Sequence, residues 1–197
     1  MINKITMSGT VSASLENDKV VFKENTIVEI KEKELILYTE GNCSNNISII
    51  GGGSGIVING SSVIVNGKDI SDLVKEASKG SADKEAEGVL EFDLSKYDLK
   101  IKKINMSGQS NLLFADEVSL NKLRKVSLSG QSSISFEQQR IDDLSIGCSG
   151  QSRVSMYNIT LDELDISCSG QSYVSGRKVT YKEIDKHTSG QSRIEIN

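Results

Sequence analysis

Apolar and polar residues alternate with a period of two around five copies of the tetrapeptide Ser-Gly-Gln-Ser in the second half of the chain. A period of two is typical of β-strands with one buried face. Apolar residues recur four residues before four of the five glycines, with Lys186 as the exception, and four residues after all five. They are Ile104, Val126, Ile146 and Ile166 before the glycines, and Leu112, Ile134, Val154, Val174 and Ile194 after them.

The spacing of the copies predicts how these strands are arranged. The glycines are Gly108, Gly130, Gly150, Gly170 and Gly190, separated by 22, 20, 20 and 20 residues. An antiparallel meander would also alternate, but here the same residue type returns at the same phase after each circuit of about 20 residues. This predicts an all-β fold, a parallel β-helix (β-solenoid) whose coils stack about 4.8 Å apart. Glycine suits the tight bend at the centre of each repeat.

The first half of the chain repeats the motif once and then becomes irregular. Residues 5–15 have the same apolar alternation around Ser8 and Gly9 as residues 104–114 have around Ser107 and Gly108. Strand-like runs follow, and Asn-Gly pairs at residues 59–60 and 66–67 are typical of hairpin turns. We expect residues 1–77 to form an N-terminal β region of irregular coils of the same solenoid. Residues 78–88 would be a loop or linker, and residues 89–197 the regular solenoid.

Composition supports this fold, argues against nucleic acid as a partner and indicates where the protein is located. Aromatic residues make up 5% of the chain and Pro is absent, which suits a core of small side chains and a chain whose backbone is mostly paired. The net charge of -4, with both signs interspersed, does not indicate nucleic acid binding. The sequence has neither a signal peptide nor an apolar run long enough to span a membrane. Three cysteines without C-x-x-C spacing favour a reducing compartment. The expected location is therefore cytoplasmic or virion-associated.

The repeating unit also points to a known family. Its pattern, apolar-x-apolar-Ser-Gly-x-Ser-x-apolar-x-apolar, resembles the family described as putative auto-transporter adhesin, head GIN domain. The resemblance covers residues 101–197 and extends to residues 5–15. It implies a β-helix and an adhesin-like character, and it brings no catalytic residue with it.

For each candidate catalytic group, the sequence favours a structural role over a catalytic one. The only histidine, His187, lies near Ser189, but every repeat has a Ser at that position. The run of glycines at residues 51–55 lacks the Lys of a phosphate-binding loop. Asp143, Glu163 and Glu183 share one phase of the repeat, which would suit a calcium ion or glycosidic cleavage, although lysines nearby favour a solvated corner. We therefore expect no enzyme activity, no cofactor and no metal site, with a polysaccharide lyase or hydrolase as the weaker alternative.

Two cysteines are predicted to stack on each other. Cys148 and Cys168 share the inward phase one coil apart, within the range of a disulfide. In a reducing compartment we expect two buried free thiols. Cys43 has no evident partner.

The outward residues of the repeat centres form the most ordered surface, which we call the polar strip. Its side chains either stack amide on amide and stabilise the solenoid, or bind another protein or a glycan. The predicted strip has no acidic residue. It consists of the five glutamines Gln109, Gln131, Gln151, Gln171 and Gln191, with Arg153, Tyr173 and Arg193 beside them.

The last repeat predicts an open end, because Ile184, Ile194 and Ile196 lie in a coil that no further repeat covers. Residues 5–15 could fold back over it, or a second copy could stack on it about a two-fold axis. We expect the homodimer. The expected function is thus a non-catalytic β-solenoid that serves as a structural or protein-interaction module and self-associates. The alternative is a carbohydrate-binding, adhesin-like head domain.

Overall fold

The computed structural model describes residues 1–16, 18–23, 26–39, 56–59, 62–65, 68–69, 89–114 and 118–197. These residues form β-strands, turns and loops, and nowhere among them is there a helix of the length and apolarity needed to cross a bilayer. The strands of the N-terminal half are β1 (Ile2–Ser8), β2 (Ser12–Leu15), β3 (Lys19–Lys23), β4 (Ile27–Lys31), β5 (Glu34–Tyr38), β6 (Ile56–Asn59), β7 (Ser62–Val65), β8 (Lys68–Asp69) and β9 (Val89–Asp93).

The C-terminal half holds the strands of the regular repeats. They are β10 (Leu99–Met106), β11 (Asn111–Phe114), β12 (Lys125–Leu128), β13 (Ser133–Glu137), β14 (Arg140–Cys148), β15 (Arg153–Cys168), β16 (Tyr173–Thr180), β17 (Glu183–Thr188) and β18 (Arg193–Ile196).

The strands stack into two long parallel ladders, one on each side of the repeat glycines. Ladder A, before the glycines, runs in the order β5, β1, β10, β12, β14, the second half of β15, and β17. Ladder B, after them, runs in the order β2, β11, β13, the first half of β15, β16 and β18. Parallel pairing at a constant register excludes the antiparallel meander. The predicted fold class, an all-β parallel solenoid with coils of about 20 residues, is confirmed.

The core consists of inward columns in which one coil's side chain lies against the equivalent side chain of the next. Ile5, Ile104, Val126, Ile146 and Ile166 are partners in register, and each is no more than 1% exposed. Fully burying a side chain of this size stabilises a fold by about 1.5–3 kcal/mol. The core is therefore built by repetition of medium-sized apolar side chains, as the low aromatic content indicated.

The centre of each repeat is a tight turn that requires glycine. Gly150 has φ of +71°, and a Cβ atom there would lie 2.7 Å from the carbonyl oxygen of Gly130 in the coil before. The next residue closes the turn onto that coil, because the backbone N–H of Gln151 donates to the same carbonyl at 2.7 Å. Any other residue would meet both an unfavourable backbone angle and the backbone of the neighbouring coil.

The N-terminus supplies one further coil and then a closing layer of antiparallel strands. Strands β1 and β2 stack in parallel on β10 and β11, and Gly9 has φ of +82°, as expected from its match to the repeat. Beyond this coil, β4 pairs antiparallel with β5, β3 pairs antiparallel with β2, and β9 pairs antiparallel with β3. The suggestion that residues 5–15 fold back over the C-terminal end is therefore wrong, because these residues pair with the opposite end of the solenoid.

The structure differs from a uniform solenoid at β9, which begins the segment expected to be regular but pairs antiparallel with β3. The regular parallel coils resume at β10. On either side of residues 66–67, β7 and β8 pair antiparallel, as the Asn-Gly turn predicts. The glycine run at 51–55, the proposed linker at 78–88 and Cys43 lie outside the described residues, and the division into residues 1–77, 78–88 and 89–197 stays a prediction.

Candidate functional site

Four of the five glutamines of the polar strip form a hydrogen-bonded column along the solenoid axis. The side-chain amide of Gln131 donates to the amide oxygen of Gln151 at 3.0 Å, and the Gln151–Gln171 and Gln171–Gln191 pairs repeat this geometry at 3.0 Å. These side chains are exposed, as is that of Gln109 in the coil before them. The amide stacking predicted from the sequence is thus present from Gln131 to Gln191, where it links each coil to the next.

The second serine of each repeat was missed as a structural residue by the sequence analysis. Ser110, Ser132, Ser152 and Ser172 are each only 1% exposed. Their hydroxyls donate to the carbonyl of the first serine of the same repeat, at 2.6–2.9 Å. The alternation of the sequence predicts this burial. The residue two positions after the glycine and the buried residue four positions after it point to the same face of the strand. A buried hydroxyl with a partner inside its own turn holds the shape of that turn.

A cluster of charged and aromatic side chains lies beside the glutamine column on the outer face of ladder B. The guanidinium carbon of Arg153 lies 6.0 Å from the centre of the Tyr173 ring, within the range of a cation–π contact. The Tyr173 hydroxyl donates to the Glu195 carboxylate, which also forms an ion pair with Arg193. These contacts bring together the three residues singled out in the sequence and add a fourth, Glu195.

Glu195 corrects one expectation, since the polar strip was predicted to be free of acidic residues. Glu195 follows Arg193 by two positions and therefore faces outward beside it. The hydrogen bond from Tyr173 holds the pKa of the Glu195 carboxyl below its ordinary value, and the same bond raises the pKa of Tyr173. The cluster therefore contains a carboxylate as well as two guanidinium groups and a phenol, which can together accept and donate several hydrogen bonds.

The C-terminal coil exposes part of the apolar interior. Ile184 and Ile194 are half-buried, whereas Leu164 and Val174, their partners one coil earlier, are 2% and 0% exposed. Ile196 is likewise half-buried. Among the described residues, no strand pairs with the outer edges of β17 and β18.

Polar residues confine this apolar patch to part of the coil. In β17, Lys186 pairs with the buried Ile166, and Thr188 pairs with the buried Cys168. Charged residues placed at inward positions of an edge strand discourage another strand from adding there. The apolar surface at this end is therefore Ile184 together with the two isoleucines of β18.

The stacked carboxylates of Asp143, Glu163 and Glu183 are exposed, and the neighbouring Asp142 and Asp162 are paired with bases. Asp142 and Asp162 form ion pairs with Arg124 at 2.9 Å and Lys182 at 3.0 Å. The imidazole of His187 lies 3.3 Å from the Asp185 carboxylate. In the described parts of the chain, no three His, Cys, Asp or Glu side chains are grouped so that they could hold a metal ion.

Comparison with known proteins gives one match. Residues 81–197, more than half of the chain, match the family described as "Putative auto-transporter adhesin, head GIN domain". The chain belongs to this family. Searches of curated proteins and of solved structures found no match. The family match covers the regular coils that carry the glutamine column, the Arg–Tyr–Glu cluster and the open end.

One more feature of this head GIN domain concerns its buried thiols. Cys148 and Cys168 are partners in register and are each 4% exposed, and both are free. Burial raises the pKa of the Cys148 thiol to about 12 and also raises that of Cys168. Because the thiolate is the reactive form, we expect both side chains to react slowly in the folded state at neutral pH.

We expect the two thiols of the folded protein to resist alkylation at pH 8 and to react fully after denaturation. Above the ordinary thiol pKa of 9.0, the unfolded thiols ionise while folded Cys148 stays protonated, so stability should fall as the pH rises from 9.0 towards about 12.

Under a mild oxidant, mass spectrometry should find Cys148 linked to Cys168. A dominant link from Cys43 to either residue would contradict the stacking.

Proposed function

We propose that this chain is a non-catalytic solenoid that acts as a protein-interaction module and self-associates through its C-terminal end. The observation that carries this proposal is the incomplete burial of Ile184, Ile194 and Ile196 in the last coil, at positions where earlier coils are closed. An uncovered coil with unpaired strand edges is a template for another chain.

The two ends of the solenoid differ in a way that supports this choice. At the N-terminal end, the antiparallel strands β3, β4 and β9 cover the last parallel coil. At the C-terminal end, a two-fold axis would place the isoleucines of one copy against the same residues of the other, since the commonest oligomers use one patch twice. Because Lys186 places a charge at an inward position of β17, the apolar contact would form mainly through β18.

We expect Ile194→Asp to weaken self-association by at least about tenfold, because a carboxylate in the apolar contact would lose its water on association. Light scattering over a dilution series measures this effect. Thr10→Asp is the matched control, since it adds the same charge at an exposed turn of the opposite end. A variant Ile194→Asp that associates like the wild type would overturn the C-terminal interface.

The Arg–Tyr–Glu cluster favours a second candidate function, the binding of carbohydrate by an adhesin-like head. Guanidinium and carboxylate groups offer paired hydrogen bonds to sugar hydroxyls, and Tyr173 offers an aromatic face. Binding on a glycan array that disappears in Tyr173→Ala would favour this function. Binding that persists in Tyr173→Ala, or an array without any binding, would count against it.

A further inference from the structure

The outer face of ladder A carries a row of side chains in which charge changes sign from one end of the solenoid to the other. We call it the charged row, and its members are partners in register on successive strands. From the N-terminal to the C-terminal end they are Glu34, Lys4, Lys103, Lys125, Ser145, Asp165 and Asp185.

Among the described residues, the charges with an ion-pairing partner lie at the two ends of the row, where Glu34 and Lys4 pair with each other and Asp185 lies 3.3 Å from the imidazole of His187. Lys4 forms an ion pair with Glu34 at 2.8 Å. Within the described residues, Lys103 and Lys125 have no carboxylate within salt-bridge distance. Asp165 accepts a hydrogen bond of 3.4 Å from the Ser145 hydroxyl.

Each half of the row therefore places like charges side by side. The two lysines lie on adjacent strands, and so do the two aspartates, at a strand spacing of about 4.8 Å. Glu163 and Glu183 form a second outward pair two residues before the aspartates, which makes the C-terminal half more acidic. Like charges directly opposite each other on neighbouring strands destabilise a sheet, so this arrangement is unfavourable in an isolated chain.

Over its middle strands, the row next to the charged row is made of small side chains, and it ends in Ile36 on β5 and His187 on β17. Two residues along the strands, the in-register residues include Asn105, Ser127, Gly147 and Ser167. Together with Ser129 and Ser149 they line a shallow groove that runs parallel to the solenoid axis. Small residues on a sheet face allow another surface to approach closely, so the charges beside them could reach partners across a contact.

We propose that this face docks a second copy of the same chain, side by side and antiparallel. The charge pattern favours a second copy as the partner. When one copy is reversed, the lysines of each copy lie against the aspartates of the other. A two-fold axis relates the two copies, so the same charge contact forms twice. The seven members of the row span six strand spacings, or about 29 Å, which is enough for both charge contacts to form at once. This contact goes beyond the proposed end-to-end association and uses none of its residues.

Paired charge reversals test this docking directly. Lys103→Glu with Lys125→Glu makes the row acidic from residue 103 to residue 185, and Asp165→Lys with Asp185→Lys makes its C-terminal half basic like the other half. Each variant should lose side-by-side pairing with itself, by about tenfold or more in Kd, whereas a mixture of the two should form mixed pairs. Energy transfer between fluorescently labelled variants at low salt reports the mixed pairs, and thermal melts establish that both variants fold.

The control is Arg177→Glu with Lys178→Glu, which makes the same change in net charge at exposed residues of β16 away from the row. Mixing the control with the basic variant should give no excess of mixed pairs. In 1 M salt, where charges are screened beyond about 3 Å, the mixed pairs of the test variants should dissociate, while association through the apolar end should remain. Mixed pairs that do not exceed the statistical expectation at low salt would overturn the proposal without affecting the C-terminal interface.

Discussion

Gly150→Val is expected to lower the free energy of unfolding by about 2–6 kcal/mol, since the strain of a left-handed backbone angle and the overpacking of a closed turn each cost about 1–3 kcal/mol. Gly150 has φ of +71°, and the new Cβ would lie 2.7 Å from the carbonyl oxygen of Gly130. That oxygen cannot move away, because it accepts the hydrogen bond from Gln151 that joins the two coils. The midpoint of chemical denaturation measures the loss.

Gly147→Val is the matched control in the same coil. Gly147 has an ordinary φ, and the nearest atom to an added Cβ would be the carbonyl oxygen of Val126, 4.0 Å away. A β-branched side chain suits a strand, so this variant should be neutral or slightly stabilising. Equal losses in the two variants would mean that the repeat glycines are not held in a packed turn.

Phe136→Ala should also destabilise strongly, by about 3–5 kcal/mol, because it removes a large buried ring and leaves a cavity. Phe136 is 1% exposed, and its ring stacks on that of Phe114 with centroids 5.8 Å apart. Thermal and chemical denaturation both report this loss.

The control for this prediction is Leu113→Ala, in the strand that pairs with that of Phe136. Leu113 is 45% exposed on the outward face, so its removal should change stability by no more than about 0.5 kcal/mol. A large loss in this control, or a small one in Phe136→Ala, would contradict the assignment of inward and outward faces.

The repeat made the solenoid predictable from the sequence. A period of two assigns a face to each residue, and a near-constant spacing assigns its neighbour in the next coil, so columns such as Ile146 and Ile166 follow directly. The same two rules also place the buried Ser152 and the outward Glu195. Those residues were overlooked because polar side chains were taken to be exposed and the polar strip was ended at Arg193.

The closing layer at the N-terminus was beyond such reasoning. Strand β3 pairs with β9, which lies far along the chain, and no repeated phase links the two segments. Which edge an irregular strand chooses depends on packing against the whole coil, and local patterns do not contain that information. The charged row, in contrast, was accessible from the sequence, because each of its members from Lys4 to Asp185 precedes a repeat glycine by five residues.

Sedimentation of the wild-type protein over a wide concentration range, at low and at high salt, tests most directly the claim that this solenoid is a self-associating module. We expect association at both salt concentrations, with the apolar C-terminal contact persisting at high salt and a further, salt-sensitive association at low salt. A protein that sediments as a monomer at every concentration and at both salt concentrations would contradict this claim.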